Sequence, residues 1–310
     1  MSDAAFADHL SIALDGAVVS QLTRLSGGAS RETWRFLADG VPRIVQRQRA
    51  GDQRDIMIEA GAVRAARDIG VPVAQLLAAD QRDDGAFMVL DAIDGETIAR
   101  KILRDDRFER ARAVLPAQLG TALARIHEIN VDLVDGLEET DQVASYTEVY
   151  DRLGQRSPTL ELARRWLIDH RPSSERRCVV HGDFRLGNVI VDDEGLAAVI
   201  DWELTHVGDP MEDLGWLCVK AWRFGLVPPV AGLGSYEQLF EAYEATSGNV
   251  VDPNVVRWWE VLGTWKWAIM CITQANAHRS GLARSHELAA IGRRVCENEH
   301  DLFLALEGYW

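Results

Sequence analysis

With one short exception, the strand-like segments of this 310-residue chain all fall in its first ninety residues, and nearly everything after Asp94-Gly95 carries helical periodicity. This segregation constrains the fold more than any other feature. Strands alternating with helices would predict a parallel, doubly wound sheet; strands gathered first and helices later predict an α+β arrangement around an antiparallel sheet. SQLTRL (20–25), ETWRFLA (32–38), PRIVQRQ (42–48), AQLLAAD (74–80) and AFMVLDA (86–92) read as strands. Turn signals separate them at Ser26-Gly27-Gly28-Ala29-Ser30, Asp39-Gly40 and Asp83-Asp84-Gly85. One helix interrupts the set over residues 55–70, where Ile56, Ile58, Ala62, Val63, Ala66 and Ile69 recur at helical spacing and Gly70 stops the pattern.

After the break, residues 115–129, 145–170, 235–247, 254–279 and 285–308 read as helices. Between them lies a β-like island, CVVHGDFRLGNVIVDDEGLAAVIDWE (178–203), with two apolar strands around an Asp-Asp-Glu-Gly turn. The predicted outline is a strand-rich lobe over residues 1–92 and a larger helical lobe over 93–310, with residues 91–95 as connector. Net charge narrows the partners: 33 Lys and Arg against 48 Asp and Glu give −15, which opposes docking on nucleic acid or anionic lipid. Cys178, Cys218, Cys271 and Cys296 lie far apart, with no CxxC pair, and read as buried thiols of a reducing compartment. The N-terminus lacks the positive-then-apolar layout of a signal peptide, and no apolar run approaches the ~20 residues that span a bilayer. The expectation is a cytoplasmic protein with no membrane partner.

The island carries the chemistry. His181, Asp183 and Asn188 stand as HGDxxxxN, and Asp201 closes the next strand as IDW. A loop Asp ahead of a strand can orient or deprotonate a hydroxyl. An Asn five residues on and an Asp at the end of the following strand can converge on magnesium, which prefers hard oxygen ligands. One Asp for the nucleophile, with Asn and Asp for a metal that bridges phosphates, is the kinase solution to phosphoryl transfer.

This segment resembles the catalytic and metal loops of the aminoglycoside phosphotransferase (choline-kinase-like) family, relatives of protein kinases. The resemblance implies a two-lobed protein-kinase-like fold, with a small antiparallel-sheet N-terminal lobe and a helical C-terminal lobe. It makes Asp183 the catalytic Asp, Asn188 and Asp201 the Mg²⁺ ligands, and His181 a support for the loop. Gly208-Asp209-Pro210 and Asp213-Leu214 also match, and Asp209 and Asp213 read as loop-orienting groups. ATP or GTP would be the co-substrate, and a small hydroxyl compound the acceptor.

The N-terminal lobe then needs a phosphate loop, a cation and an acid to position that cation. Ser26, Gly27, Gly28 and Ser30 are the candidate loop, and Glu59, inside the predicted helix, is the candidate acid. The only lysines are Lys101, Lys220 and Lys266, so the cation expected on the third strand is Arg47, paired with Glu59. An arginine there resembles the members of the family found fused to acyl-CoA dehydrogenases, which implies a hydroxyacyl or similar metabolite as acceptor. The backbone of Asp91 and Ile93 would meet the adenine edge. An aminoglycoside acceptor, a kinase-like module without turnover and a metal-dependent hydrolase are the alternatives; the last leaves the upstream glycine turn, arginine and glutamate unexplained. Seven of the ten tryptophans fall between 202 and 267, most as helical core and some as lining for the acceptor cleft.

Overall fold

The computed structural model describes residues 3–25, 31–49, 54–82, 85–173 and 176–309. The candidate phosphate loop (Ser26, Gly27, Gly28, Ser30) and the Asp83-Asp84 turn lie outside the described residues. The chain opens with a helix, α1 (Asp3–Ala13), then runs β1 (Val19–Arg24), β2 (Arg31–Ala38), β3 (Val41–Gln48), α2 (Ile56–Asp68), β4 (Leu76–Arg82) and β5 (Gly85–Asp91). These strands form one sheet in the order β1-β2-β3-β5-β4, and every pairing is antiparallel.

The two sides of this sheet are covered differently. Phe36, Val45, Phe87 and Val89 pack with Phe6 and Leu10 of α1. Ala86 and Met88 pack on the opposite side with Ile56 and Ala60 of α2. The helix over the first side was not legible in the sequence: apolar Phe6 and Leu10 stand four apart among acidic and small residues, too sparse a pattern to predict a helix. α2 is started by Asp55, whose carboxylate accepts from the Met57 N–H at 2.8 Å.

Beyond residue 95 come α3 (Ala99–Arg104), α4 (Glu109–Ile126), α5 (Gln142–Leu153) and α6 (Pro158–Asp169). The helical stretch expected over 145–170 holds two helices, because Gly154 ends α5 in the left-handed region and Ser157 caps α6 ahead of Pro158. The two apolar strands of the β-island pair as expected around the Asp-Asp-Glu-Gly turn, and a second small sheet is added by the segments on either side. β6 (Cys178–Val180) pairs with β9 (His206–Gly208), and β7 (Val189–Val191) with β8 (Leu196–Val199). Then follow α7 (Met211–Cys218), α8 (Tyr236–Ser247), the 27-residue α9 (Pro253–Arg279), α10 (His286–Ile291) and α11 (Val295–Leu306). The predicted 285–308 helix is thus interrupted by a short 3₁₀ turn at residues 292–294. Among the described residues no helix is long and apolar enough to cross a membrane.

The connector is fastened to β7. Glu96 and Val191 exchange backbone hydrogen bonds at 2.9 and 3.0 Å. Gly95 beside them sits at φ +153°, and a Cβ there would overlap Ile190 and lie 2.9 Å from the Val191 carbonyl. Gly95→Ala is therefore expected to cost about 1–3 kcal/mol, read as a lower urea midpoint with an unchanged slope; a midpoint equal to wild type would show that this junction does not need glycine.

Candidate active site

The loop between β6 and β7 is held from below by one carboxylate. Asp213, in the first turn of α7 and fully buried, accepts from the backbone N–H of His181 at 2.8 Å and of Gly182 at 2.9 Å. Its Oδ2 also meets His127 Nε2 at 3.2 Å. His181 itself faces the next strand, with Nε2 3.0 Å from the Ile200 carbonyl. Asp213 thus orients the loop and His181 supports it. Asp209 instead accepts from the Met211 N–H at the start of α7.

Asp183 sits on this loop with its carboxylate engaged on both oxygens. Oδ1 accepts from Trp216 Nε1 at 2.7 Å and from Arg185 Nε at 3.1 Å; Oδ2 accepts from Asn188 Nδ2 at 2.6 Å. The amide nitrogen of Asn188 is committed to Asp183, and no hydrogen bond among the described residues engages its Oδ1. The Asn188 carbonyl accepts from the Ile200 N–H at 3.0 Å, which brings Asp201 alongside. Asp201 has φ +68°, a left-handed conformation that Asp and Asn tolerate better than most residues. Asp183, Asn188 and Asp201 therefore converge. Trp216 was missed: an indole thirty-three residues from Asp183 leaves no local signal in the sequence.

On the sheet side, the expected pair of Arg47 with Glu59 is replaced by another. Glu59 lies buried on α2, and its carboxylate accepts from both Nε (3.0 Å) and Nη2 of Arg31, the first residue of β2. Arg31 Nη1 reaches the Arg54 carbonyl at 3.2 Å, and Arg54 donates to Glu203 at 2.8 Å, two residues past Asp201. The pleat explains the exchange. Arg47 pairs with Phe87 and shares the face of Val45, the α1 side, where its guanidinium lies 5.5 Å from the Phe6 ring. Arg31 pairs with Gln48, one residue along β3, and so takes the opposite face, toward α2. At the connector, the Asp91 N–H donates to the Gln75 carbonyl at 3.0 Å, and its carboxylate accepts from the Arg43 guanidinium. The N–H of Ile93 makes no hydrogen bond among the described residues.

The profile of the phosphotransferase enzyme family, APH, matches residues 21–249 of this chain. The chain belongs to that family. It is 27% identical over 277 residues to acyl-CoA dehydrogenase family member 11 of Mus musculus, a match that takes in 79% of this chain and 34% of that protein. The chain thus spans about a third of the length of this curated relative. Among solved structures it is similar to a Ralstonia eutropha JMP134 protein described as an aminoglycoside phosphotransferase, with TM-score 0.78, 19% identity, and 99% and 98% of the two chains covered. It is also similar to amicoumacin kinase solved with AMP-PNP, Ca²⁺ and amicoumacin, with TM-score 0.66, 14% identity, and 97% and 94% covered. The kinase-like fold expected from the sequence is the fold of this phosphotransferase.

Electrostatics concentrate at the Asp201 end of the site. Burial pushes the Asp201 carboxyl up to about 7, and the nearby carboxylates of Glu203 and Asp183 add to the rise. Burial also raises Glu59 to about 7, against the pull of Arg31. Crowded oxygens that resist ionisation alone suit a divalent cation, whose charge would compensate them. No group of three or more His, Cys, Asp or Glu gathers at metal-holding distance among the described residues. A cation held by Asp201 and Asn188 would complete its shell with phosphate oxygens and water, as Mg²⁺ commonly does.

A pH dependence follows. Without a cation, folded Asp201 keeps its proton up to about 7, whereas the unfolded carboxyl releases it near its ordinary value. Between those two pH values the folded state binds more protons, so this group's contribution to stability falls as pH rises. Asp201→Asn removes that loss while retaining the backbone conformation. In EDTA, its Tm relative to wild type is expected to be higher at pH 8 than at pH 5.5; a difference that does not change with pH would count against the crowded carboxylate.

Proposed function

We propose that this phosphotransferase is a small-molecule kinase that transfers the γ-phosphate of ATP to a hydroxyl of a neutral or anionic metabolite, a hydroxyacyl compound being the type that fits best. The observation that carries the reading is Asp183, a carboxylate held by three donors beside the Asn188–Asp201 pair. Its role is to orient the acceptor hydroxyl and take its proton as the new O–P bond forms, while the bond to the β-phosphate oxygen breaks and ADP leaves. Asn188 and Asp201 would hold Mg²⁺, which when bound offsets charge on the phosphates. Arg31, following the glycine-rich segment and buttressed by Glu59, replaces Arg47 as the cation for phosphate. Its planar fork suits phosphate oxygens. The Ile93 N–H would donate to an adenine edge.

The acceptor class follows from what borders Asp183. Arg185 donates to it, and the buried ammonium of Lys266 lies 3.4 Å from the Gly182 carbonyl beside it. With Arg185 and Lys266 neutralising Asp183 and Glu212 on this side, no unpaired acid is left there to hold a polycationic aminoglycoside, whereas a neutral or anionic compound needs none. Beyond Trp216, the rings of Trp222 and Trp267 follow at centroid separations of 5.2 and 4.9 Å. These rings are almost wholly buried; they back this side of the site with apolar surface, which suits an apolar chain better than a sugar amine.

Two measurements test this reading. A screen of hydroxyl-bearing compounds for ADP release with Mg²⁺ and ATP should find turnover with a neutral or anionic acceptor. On that acceptor Asp183→Asn should lower turnover by at least about 10²-fold and leave Mg·ATP affinity within a few-fold. Near-wild-type turnover by the folded variant would remove the catalytic role. In calorimetry, Arg31→Ala should weaken ATP binding more than adenosine binding while Arg47→Ala changes neither; the reverse order would return the phosphate contact to Arg47.

A further inference from the structure

We infer that Trp216 is a positioning residue for phosphoryl transfer, one that fixes which oxygen of Asp183 meets the acceptor hydroxyl. The inference rests on the reading of Asp183 given above and extends it to a residue outside the HGD loop. It begins with a count of lone pairs. Each carboxylate oxygen accepts about two hydrogen bonds. Oδ1 already has two donors, Trp216 Nε1 and Arg185 Nε; Oδ2 has one, Asn188 Nδ2. The position left for an incoming hydroxyl is therefore on Oδ2, the oxygen beside Asn188. The indole N–H supplies the shorter of the two bonds that occupy Oδ1.

The indole is itself held from several sides. Trp216 is 3% exposed. One neighbour is Trp222, at 5.2 Å between centroids, and that ring carries the Arg185 guanidinium 4.9 Å above it. Both donors to Oδ1 are thus mounted on one aromatic stack. Against the Trp216 ring lies Lys266 of α9, its ammonium 4.9 Å from the centroid.

Two glycines set the distance between α7 and α9. A Cβ on Gly215 would run into Trp259, and a Cβ on Gly263 would lie 3.1 Å from the Trp216 ring. Neither glycine has a left-handed backbone, so close approach of the helices is what requires them. The crossing presents the indole N–H to a carboxylate on a different loop. Burial for packing alone would not require that a tryptophan's N–H end on the acidic oxygen.

Trp216→Phe keeps the ring and deletes the donor. On the acceptor found by the screen, kcat is expected to fall about tenfold or more, the scale of a hydrogen bond to a charged group, with KM for ATP within about twofold. A purely structural role would lower Tm and active fraction and leave kcat per folded molecule unchanged, which would overturn the inference. A second readout needs no turnover. The ¹⁵N–¹H indole resonance that disappears in Trp216→Phe should move in Asp183→Asn. If it does not move, the hydrogen bond is absent and the inference fails. If it moves in a chain that phosphorylates no acceptor, the contact stands and the kinase reading fails instead.

Discussion

The buried carboxylate of Asp213 is the interaction on which the rest of the site depends. Burial alone would raise its pKa, yet hydrogen bonds and charge from His127, and the His181 side chain and N–H, hold it below the ordinary range. It stays ionised because it accepts from His181 N–H, Gly182 N–H and His127. His127 in turn is tied through Nδ1 to the Tyr243 hydroxyl at 2.9 Å. A single anion therefore joins α4, α7, α8 and the loop that carries Asp183. Removing one partner from such a network leaves an uncompensated charge, which is far more damaging than loss of an exposed pair. The loop's geometry follows from this anchor rather than from its own sequence.

Above the anchor the charges are arranged in opposing sets. Burial raises the Asp201 and Glu59 carboxyls, with the charge of Glu203 adding to both and that of Asp201 adding to Glu59, while Arg31 and Arg54 run between them. The Arg54–Glu203 pair links the segment before α2 to the segment after Asp201, so sheet and helical region meet at the Asp201 end of the site. A cation with phosphate would enter a place already short of positive charge. On the other side of Asp183, Lys266 and Arg185 supply positive charge that Asp183 and Glu212 offset, with Lys266 Nζ 3.7 Å from Glu212. The same Glu212 accepts His206 at 3.1 Å, so His206 serves this buried network.

Much of this was legible beforehand. HGD, the Asn five residues later and the Asp that ends the next strand lie within twenty-one residues, and a loop and a short β-pair bring them together wherever the rest of the chain goes. The segregation of strands from helices was equally readable, because period two and period 3.6 leave different marks on a sequence. The break inside 145–170 was also written there, in Gly154 and the Ser157-Pro158 pair.

The sequence by itself determined the chemistry: which oxygens are available, how closely Asp183, Asn188 and Asp201 must approach, and that lysine is missing from the sheet. Tertiary structure decided the partners. Ile44 and Val45 are adjacent and both apolar, so alternation along β3 does not reveal which face Arg47 takes; only the register against β2 and β5 puts it toward α1 and gives Glu59 to Arg31. Trp216 reaches Asp183 because Gly215 and Gly263 let two helices, forty-odd residues apart in the chain, pack closely. Contacts of that kind depend on the pleat parity of a strand and the crossing of two helices, and neither quantity is local to the residues that meet.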